Sequence, residues 1–283
     1  RVYYPRKRTN PKGSANPDVC YLSYAANAVF SNTELYHSEP FSLEIKTQNA
    51  DGVIRYTTDG SKPTEQSTEY TGAITISSNT VIRAATFVSG MRPSDVATAT
   101  YLFETPHSVP VVTLAMNQKD FDDVYAVSSP FVPVVEREGH IQYFEKDGSL
   151  GVETSAGIRV SGASTRRYPQ KSLALMFRSG YGRKTVTYPF FGNDYIKTFG
   201  SLVLRNAGQD CLNTRIRDSF TSTAVLDMNI DSSAATFCAF YINGRYWGLY
   251  DLKENMNKDY LAAHYGVAED TVNIIKRNTV ALA

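Results

Sequence analysis

The run Ala239-Phe240-Tyr241-Ile242-Asn243-Gly244-Arg245-Tyr246-Trp247-Gly248-Leu249-Tyr250-Asp251-Leu252 constrains this chain most. Asn-Gly between two such segments is the strongest short-range signal for an antiparallel hairpin. Further upstream, Phe41 to Thr47 and Val53 to Thr58 alternate apolar and polar residues as half-buried strands do. Asp59-Gly60-Ser61-Lys62-Pro63-Thr64 is a strong turn, and Ala73–Ile76, Thr80–Val88 and Ala97–Phe103 complete a set of short strands without helical period. This pattern predicts a small antiparallel sandwich over residues 26–104. Residues 1–25 read as a linker or the tail of a preceding domain, and Thr105 to Pro110 as a hinge opening a second domain, 105–283.

The second domain reads as α+β, a mixed sheet with helices. Strands are expected at Val111–Met116, Ile141–Phe144, Gly157–Val160, Leu173–Arg178, Ser201–Asn206 and Val272–Lys276. A helix is expected over Leu212–Met228, capped by Asn213 or Thr214, with Ile216, Phe220 and Ala224 on one face. A second helix is expected over Asn257–Tyr265, closed by Gly266.

Chemistry points to the stretch Gly157-Ile158-Arg159-Val160-Ser161-Gly162-Ala163-Ser164-Thr165, followed by Tyr168-Pro169-Gln170-Lys171-Ser172. It reads as strand, small-residue turn, and a second strand opening on a lysine. Such a turn offers unhindered N–H groups and two hydroxyls to an anion, and Lys171 adds a point charge. The plain alternative is a β-hairpin whose turn is small and polar. Arg159, Arg205, Arg215 and Arg217 can likewise face phosphates, or form structural ion pairs with Asp210 or Asp218.

A net charge of +1 gives no field to select nucleic acid or an anionic membrane, and no apolar run is long enough to span a bilayer. Cys20, Cys211 and Cys238 lack the paired spacing of a zinc site; the latter two are expected to be buried free thiols. His107 and His140 read as ordinary surface residues. The chain opens on Arg1 without an initiator Met or a signal pattern, so it is expected to be a piece of a longer protein.

Residues Ile54 to Thr64, Tyr70-Thr71-Gly72, Val81-Ile82-Arg83-Ala84 and Pro93-Ser94-Asp95-Val96 resemble the chitobiase/β-hexosaminidase C-terminal-type domain, an Ig-like accessory module of secreted bacterial proteins. Gly157-Ile158-Arg159, Gly162-Ala163-Ser164, Pro169-Gln170-Lys171-Ser172, Leu204-Arg205-Asn206 with Asp210, Arg217-Asp218, Tyr241 to Tyr250, Leu252 with Glu254, and Tyr260-Leu261 together resemble the CotH-type (spore coat protein H) atypical protein kinases. That resemblance implies the N-terminal lobe of an atypical kinase, ATP with Mg or Mn, and serine phosphorylation of extracellular or surface proteins. It implies Lys171 as phosphate lysine, Glu254 as its orienting carboxylate, and Arg159, Gly162, Ser164 and Thr165 as phosphate contacts. The parent is then secreted and bacterial, with an extracellular protein substrate and cell-wall neighbours; the alternative is a non-catalytic adhesion or carbohydrate-associated module. Kinase chemistry also uses a base and a metal-binding carboxylate, which the family places downstream, so this chain by itself is expected to be inactive.

Overall fold

The computed structural model describes residues 23–225, 228–276 and 279–281. The tail through residue 22, Cys20 included, lies outside them, as do Leu226 and Asp227 of the expected helix. Two compact units divide between Glu104 and Thr105.

The first unit is all β. Its strands are β1 (Val29–Phe30), β2 (Phe41–Leu43), β3 (Ile45–Lys46), β4 (Val53–Thr57), β5 (Thr68–Glu69), β6 (Ile74–Ile76), β7 (Thr80–Phe87) and β8 (Ala97–Tyr101). A four-stranded antiparallel sheet runs β5-β4-β7-β8, and β2 pairs with β6 and β1 with β3 as short antiparallel pairs. Alternation buries Leu43, Ile54, Ile76, Ile82 and Tyr101 in one core. Asp59 accepts from the N–H and hydroxyl of Ser61 through one carboxylate oxygen, an Asx turn.

The second unit comprises β9 (Val111–Ala115), α1 (Gln118–Tyr125), β10 (Glu136–Phe144), β11 (Leu150–Val160), β12 (Leu173–Met176), β13 (Val186–Thr187), β14 (Thr198–Phe199), β15 (Ser201–Arg205), α2 (Arg217–Ala224), β16 (Ala235–Ile242), β17 (Arg245–Glu254), α3 (Lys258–Tyr265), β18 (Ile274–Lys276) and β19 (Thr279–Ala281). Seven strands close a barrel in the order β10-β11-β12-β15-β17-β16-β9. Every neighbouring pair is antiparallel except β9 with β16, which is parallel. The lumen is filled by alternate side chains, among them Leu114, Ile158, Leu175, Leu204, Phe240 and Leu252. Burial pushes the pKa of the Cys238 thiol upward, and it is a free thiol inside this packing; Cys211 is free and half-buried.

The hairpin forms as the Asn-Gly turn requires. Asn243 and Gly244 take φ of 50° and 78°, the mirror-image turn that matches strand twist. Asn243 also ties the turn to the end of β9, donating Nδ2–H to Met116 O (2.9 Å) and accepting from Met116 N–H (3.0 Å). α3 is capped by the Asn257 side chain, which accepts from Tyr260 N–H, and closed by Gly266 in the left-handed region.

α2 departs from expectation at its start. It starts at Arg217, because Arg215 sits at φ 63° and Thr214 donates its hydroxyl to Asp210 (2.6 Å) instead of capping a helix. Asp210 then accepts from Arg217 N–H (3.2 Å), supplying the missing cap from outside the helix. Its apolar stripe faces outward. Leu212, Ile216 and Phe220 are 83%, 52% and 70% exposed, and Ala224 is exposed as well. Asp218, Ser219 and Ser222 face the barrel.

Neither His107 nor His140 is fully exposed. His107 Nε2 lies 2.6 Å from the Tyr241 hydroxyl, and His140 Nε2 lies 3.2 Å from Glu153.

Candidate phosphate-binding turn and the strand–helix charge cluster

The turn between β11 and β12 continues their ladder, with Ser161 N–H donating to Ser172 O at 2.8 Å. Gly162 has φ +87°, and a Cβ there would stand 2.7 Å from Thr165 Oγ1, so the sharp entry suits glycine. Gly162, Ala163 and Ser164 are exposed, and Thr165 is half-buried. Arg166 folds back over the turn, donating Nε–H to Gly162 O (2.6 Å) and Nη1–H to Ser129 O (3.4 Å). Burial, then the nearby charge of Arg159, lowers the Arg166 pKa. Two cations therefore stand beside the turn. Arg159 is 3.9 Å from Glu136, whose closer partners are Arg178 (2.9 Å) and the Tyr181 hydroxyl (3.2 Å). Gly157 makes that cluster possible: a Cβ there would come within 2.6 Å of Tyr181 and 2.5 Å of Glu136.

Lys171 lies at the far edge of the turn and is 7% exposed, not a surface strand residue. Its Nζ donates to Tyr125 O (2.7 Å) and Val127 O (3.3 Å), and it lies 5.3 Å from the Tyr125 ring. The ammonium thus caps the carbonyl end of α1. No carboxylate answers it among the described residues, and burial lowers its pKa. Around it the separate sequence blocks converge. Tyr250 OH donates to Lys171 O, Ser172 Oγ to Asn206 Oδ1, Asn206 Nδ2 to Gln170 O, and Arg215 Nη1 to Gln170 Oε1.

Glu254 is elsewhere. Strand register places Leu173 opposite Leu204, Leu204 opposite Leu252 and Leu202 opposite Glu254. Continued, that register puts Lys171 level with Asn206 and Tyr250, four residues, or about 13 Å, along the strands from Glu254. The structure therefore does not bring Lys171 and Glu254 together. Glu254 accepts from Tyr195 OH (2.8 Å), Ala234 N–H (3.0 Å) and His264 Nε2 (3.0 Å), and so fastens α3 and two loops to the barrel end.

The strand–helix ion pair lies between other residues. Arg205 on β15 donates Nε–H to Asp218 on α2 at 2.7 Å, and Lys253 on β17 donates to the same oxygen at 2.8 Å and to Ser222 Oγ at 3.0 Å. Burial opposes the charge on Asp218, but the hydrogen bond from Lys253 and the charges of Arg205 and Lys253 outweigh it and lower the carboxyl pKa. Next to it, Asp251 accepts from Ser219 Oγ (2.6 Å). Burial raises its pKa against that bond. The ion pairs Arg205–Asp218 and Arg217–Asp210 (3.4 Å) both form. Lys253 was not foreseen. The signal was available in the alternation of Asp251 and Lys253, which places both on the outer wall under α2.

Residues 158–282 match the family model of the CotH kinase protein, and residues 33–98 match that of the chitobiase/beta-hexosaminidase C-terminal domain. The chain carries a CotH kinase-family domain behind a chitobiase-type one. No curated protein matches it. The CotH match contains the turn, the strand–helix cluster and α3, and begins within β11. The residues of the CotH domain suit a phosphate group, with cations and open N–H groups beside an exposed turn. Among the described residues no three His, Cys, Asp or Glu side chains stand together as a metal cluster. Among them, too, no helix is long and apolar enough to cross a membrane.

Proposed function

We propose that the CotH domain grips the phosphates of ATP and serves serine phosphorylation of extracellular or surface proteins, as part of a secreted bacterial protein. The observation that carries this reading is the double ion pair from Arg205 and Lys253 on neighbouring strands to Asp218 on α2. Phosphoryl transfer depends on positioning and charge neutralisation, and protein kinases hold a strand cation through an ion pair to a helix carboxylate. Gly162, Ser164 and Thr165 supply the turn, and Arg159 and Lys171 supply charge beside it. Glu254 enters as the anchor of α3. ATP would supply the transferable phosphoryl group, and a divalent ion bound with it would neutralise phosphate charge.

Calorimetric titration of the chain with ATP tests this. Saturable binding is expected, weakened by about 1.5–3 kcal/mol in Lys171→Ala, the scale of a charge-assisted hydrogen bond. Absence of binding by the folded wild type overturns the proposal. A second reading, a non-catalytic adhesion module, is favoured by the exposed apolar face of α2; stable retention on cell-wall polysaccharide without nucleotide binding is its signature.

A further inference from the structure

The connection leaving α1 lies across the turn. Tyr125 O and Val127 O accept from the Lys171 ammonium, and Ser129 O accepts from Arg166 Nη1. Three carbonyls of one five-residue segment thus occupy Lys171 and Arg166, two of the cations around Gly162 to Thr165. Neutral dipoles are weak answers to buried charge, since hydrogen bonds between ions of opposite sign are shorter and stronger. The segment is also held by Val127, which is buried, and by one phenol. The Tyr125 hydroxyl accepts from Lys171 N–H (2.9 Å) and Trp247 Nε1–H (3.1 Å) and donates to Pro169 O (2.9 Å). Beyond Val127, Phe131 is 94% and Val132 50% exposed, so neither side chain pins the far end.

We infer that residues 125–129 form a displaceable strap whose carbonyls stand where phosphate oxygens go, so that strap closure and polyphosphate binding exclude each other. The inference rests on reading the turn as a phosphate site and adds its regulation. A polyphosphate offers Lys171 and Arg166 full negative charge in place of partial charge. The strap then lifts, and Phe131 and Val132 move with it. Binding carries the cost of opening, because only the open fraction accepts ligand.

Trp247, the chain's single tryptophan, reports the event, because its indole N–H is bonded to Tyr125 and its ring meets the Phe121 and Tyr125 rings edge-on. The chain is titrated with ATP and, separately, with inorganic tripolyphosphate, reading Trp247 emission and calorimetric heat in parallel. The expected result is an emission change that saturates with the calorimetric Kd. Tyr125→Phe removes all three bonds of the phenol and is expected to tighten Kd about threefold or more. Heat of binding with unchanged emission and an unchanged Kd in Tyr125→Phe overturns the strap and leaves the phosphate site standing. No heat from either protein with either ligand overturns both.

Discussion

Lys171 and Lys253 lie equally deep in the barrel wall, 7% and 5% exposed, and are answered by opposite means. Lys253 meets the Asp218 carboxylate and a serine hydroxyl, and through them holds α2 against the strands. Lys171 meets only backbone carbonyls and an aromatic ring. A cation paired with a carboxylate is part of the framework, and removing its partner strands a buried charge. A cation held by neutral dipoles keeps unspent attraction for an anion. The contrast separates a lysine that builds the site from one that can serve it.

The sharpest way to break this contrast is to remove the carboxylate. Asp218→Ala leaves Lys253 buried without its ion pair, and urea unfolding is expected to show a loss of about 3 kcal/mol. A loss below that of an ordinary surface change would make the two lysines alike. Because the Asp218 pKa is lowered, its stabilisation is present above the ordinary value of 3.8 and is lost as pH falls through the lowered value. The variant is expected to lack that acid-side loss.

Lys171→Met comes next, with a cost within about 1.5 kcal/mol, since it exchanges a desolvated charge for an apolar chain of similar reach. The lowered pKa of Lys171 means the unfolded chain binds the extra proton. The charging penalty is therefore present at neutral pH and is relieved as pH climbs through the lowered value toward the ordinary 10.5. Wild type is expected to gain on Lys171→Met over that alkaline range in pH-resolved melts. A gain on the acid side would reverse the assignment.

Asn257→Ala compares a helix capped by its own residue with α2, whose cap comes from Asp210; a loss of about 1 kcal/mol is expected. Phe220→Ser is the smallest, within about 0.5 kcal/mol if the outer face of α2 is solvated. A loss of about 3–5 kcal/mol, the cost of emptying a core aromatic site, would point to a core-facing stripe instead.

Elements with local causes were legible. The Asn243-Gly244 hairpin, the Asn257-to-Gly266 limits of α3 and the strands of the first unit follow from turn chemistry and alternation within a few residues. α1 passed unread because only Phe121 and Val124 are buried in a run otherwise rich in aspartate and lysine. The apolar stripe Ile216-Phe220-Ala224 is legible as a stripe, but the sequence does not say which way it faces, and it faces outward. A charged barrel wall of Arg205, Asp251 and Lys253 demanded the polar side of the helix, and that demand comes from strands distant in sequence. The same holds for the turn: Gly162, Ser164, Thr165 and Lys171 are neighbours in sequence, whereas the separation of Lys171 from Glu254 follows from register across three strands.

The parallel seam between β9 and β16 joins residues more than a hundred positions apart, with Val111 opposite Ala239. Its loop-closure entropy must be met before the contact returns anything. During synthesis β9 emerges long before its partner and presents a bare, apolar edge until the hairpin arrives. The last stitch of the barrel is thus the slowest, and the interval before it is when a newly made chain is most exposed to mispairing with its copies.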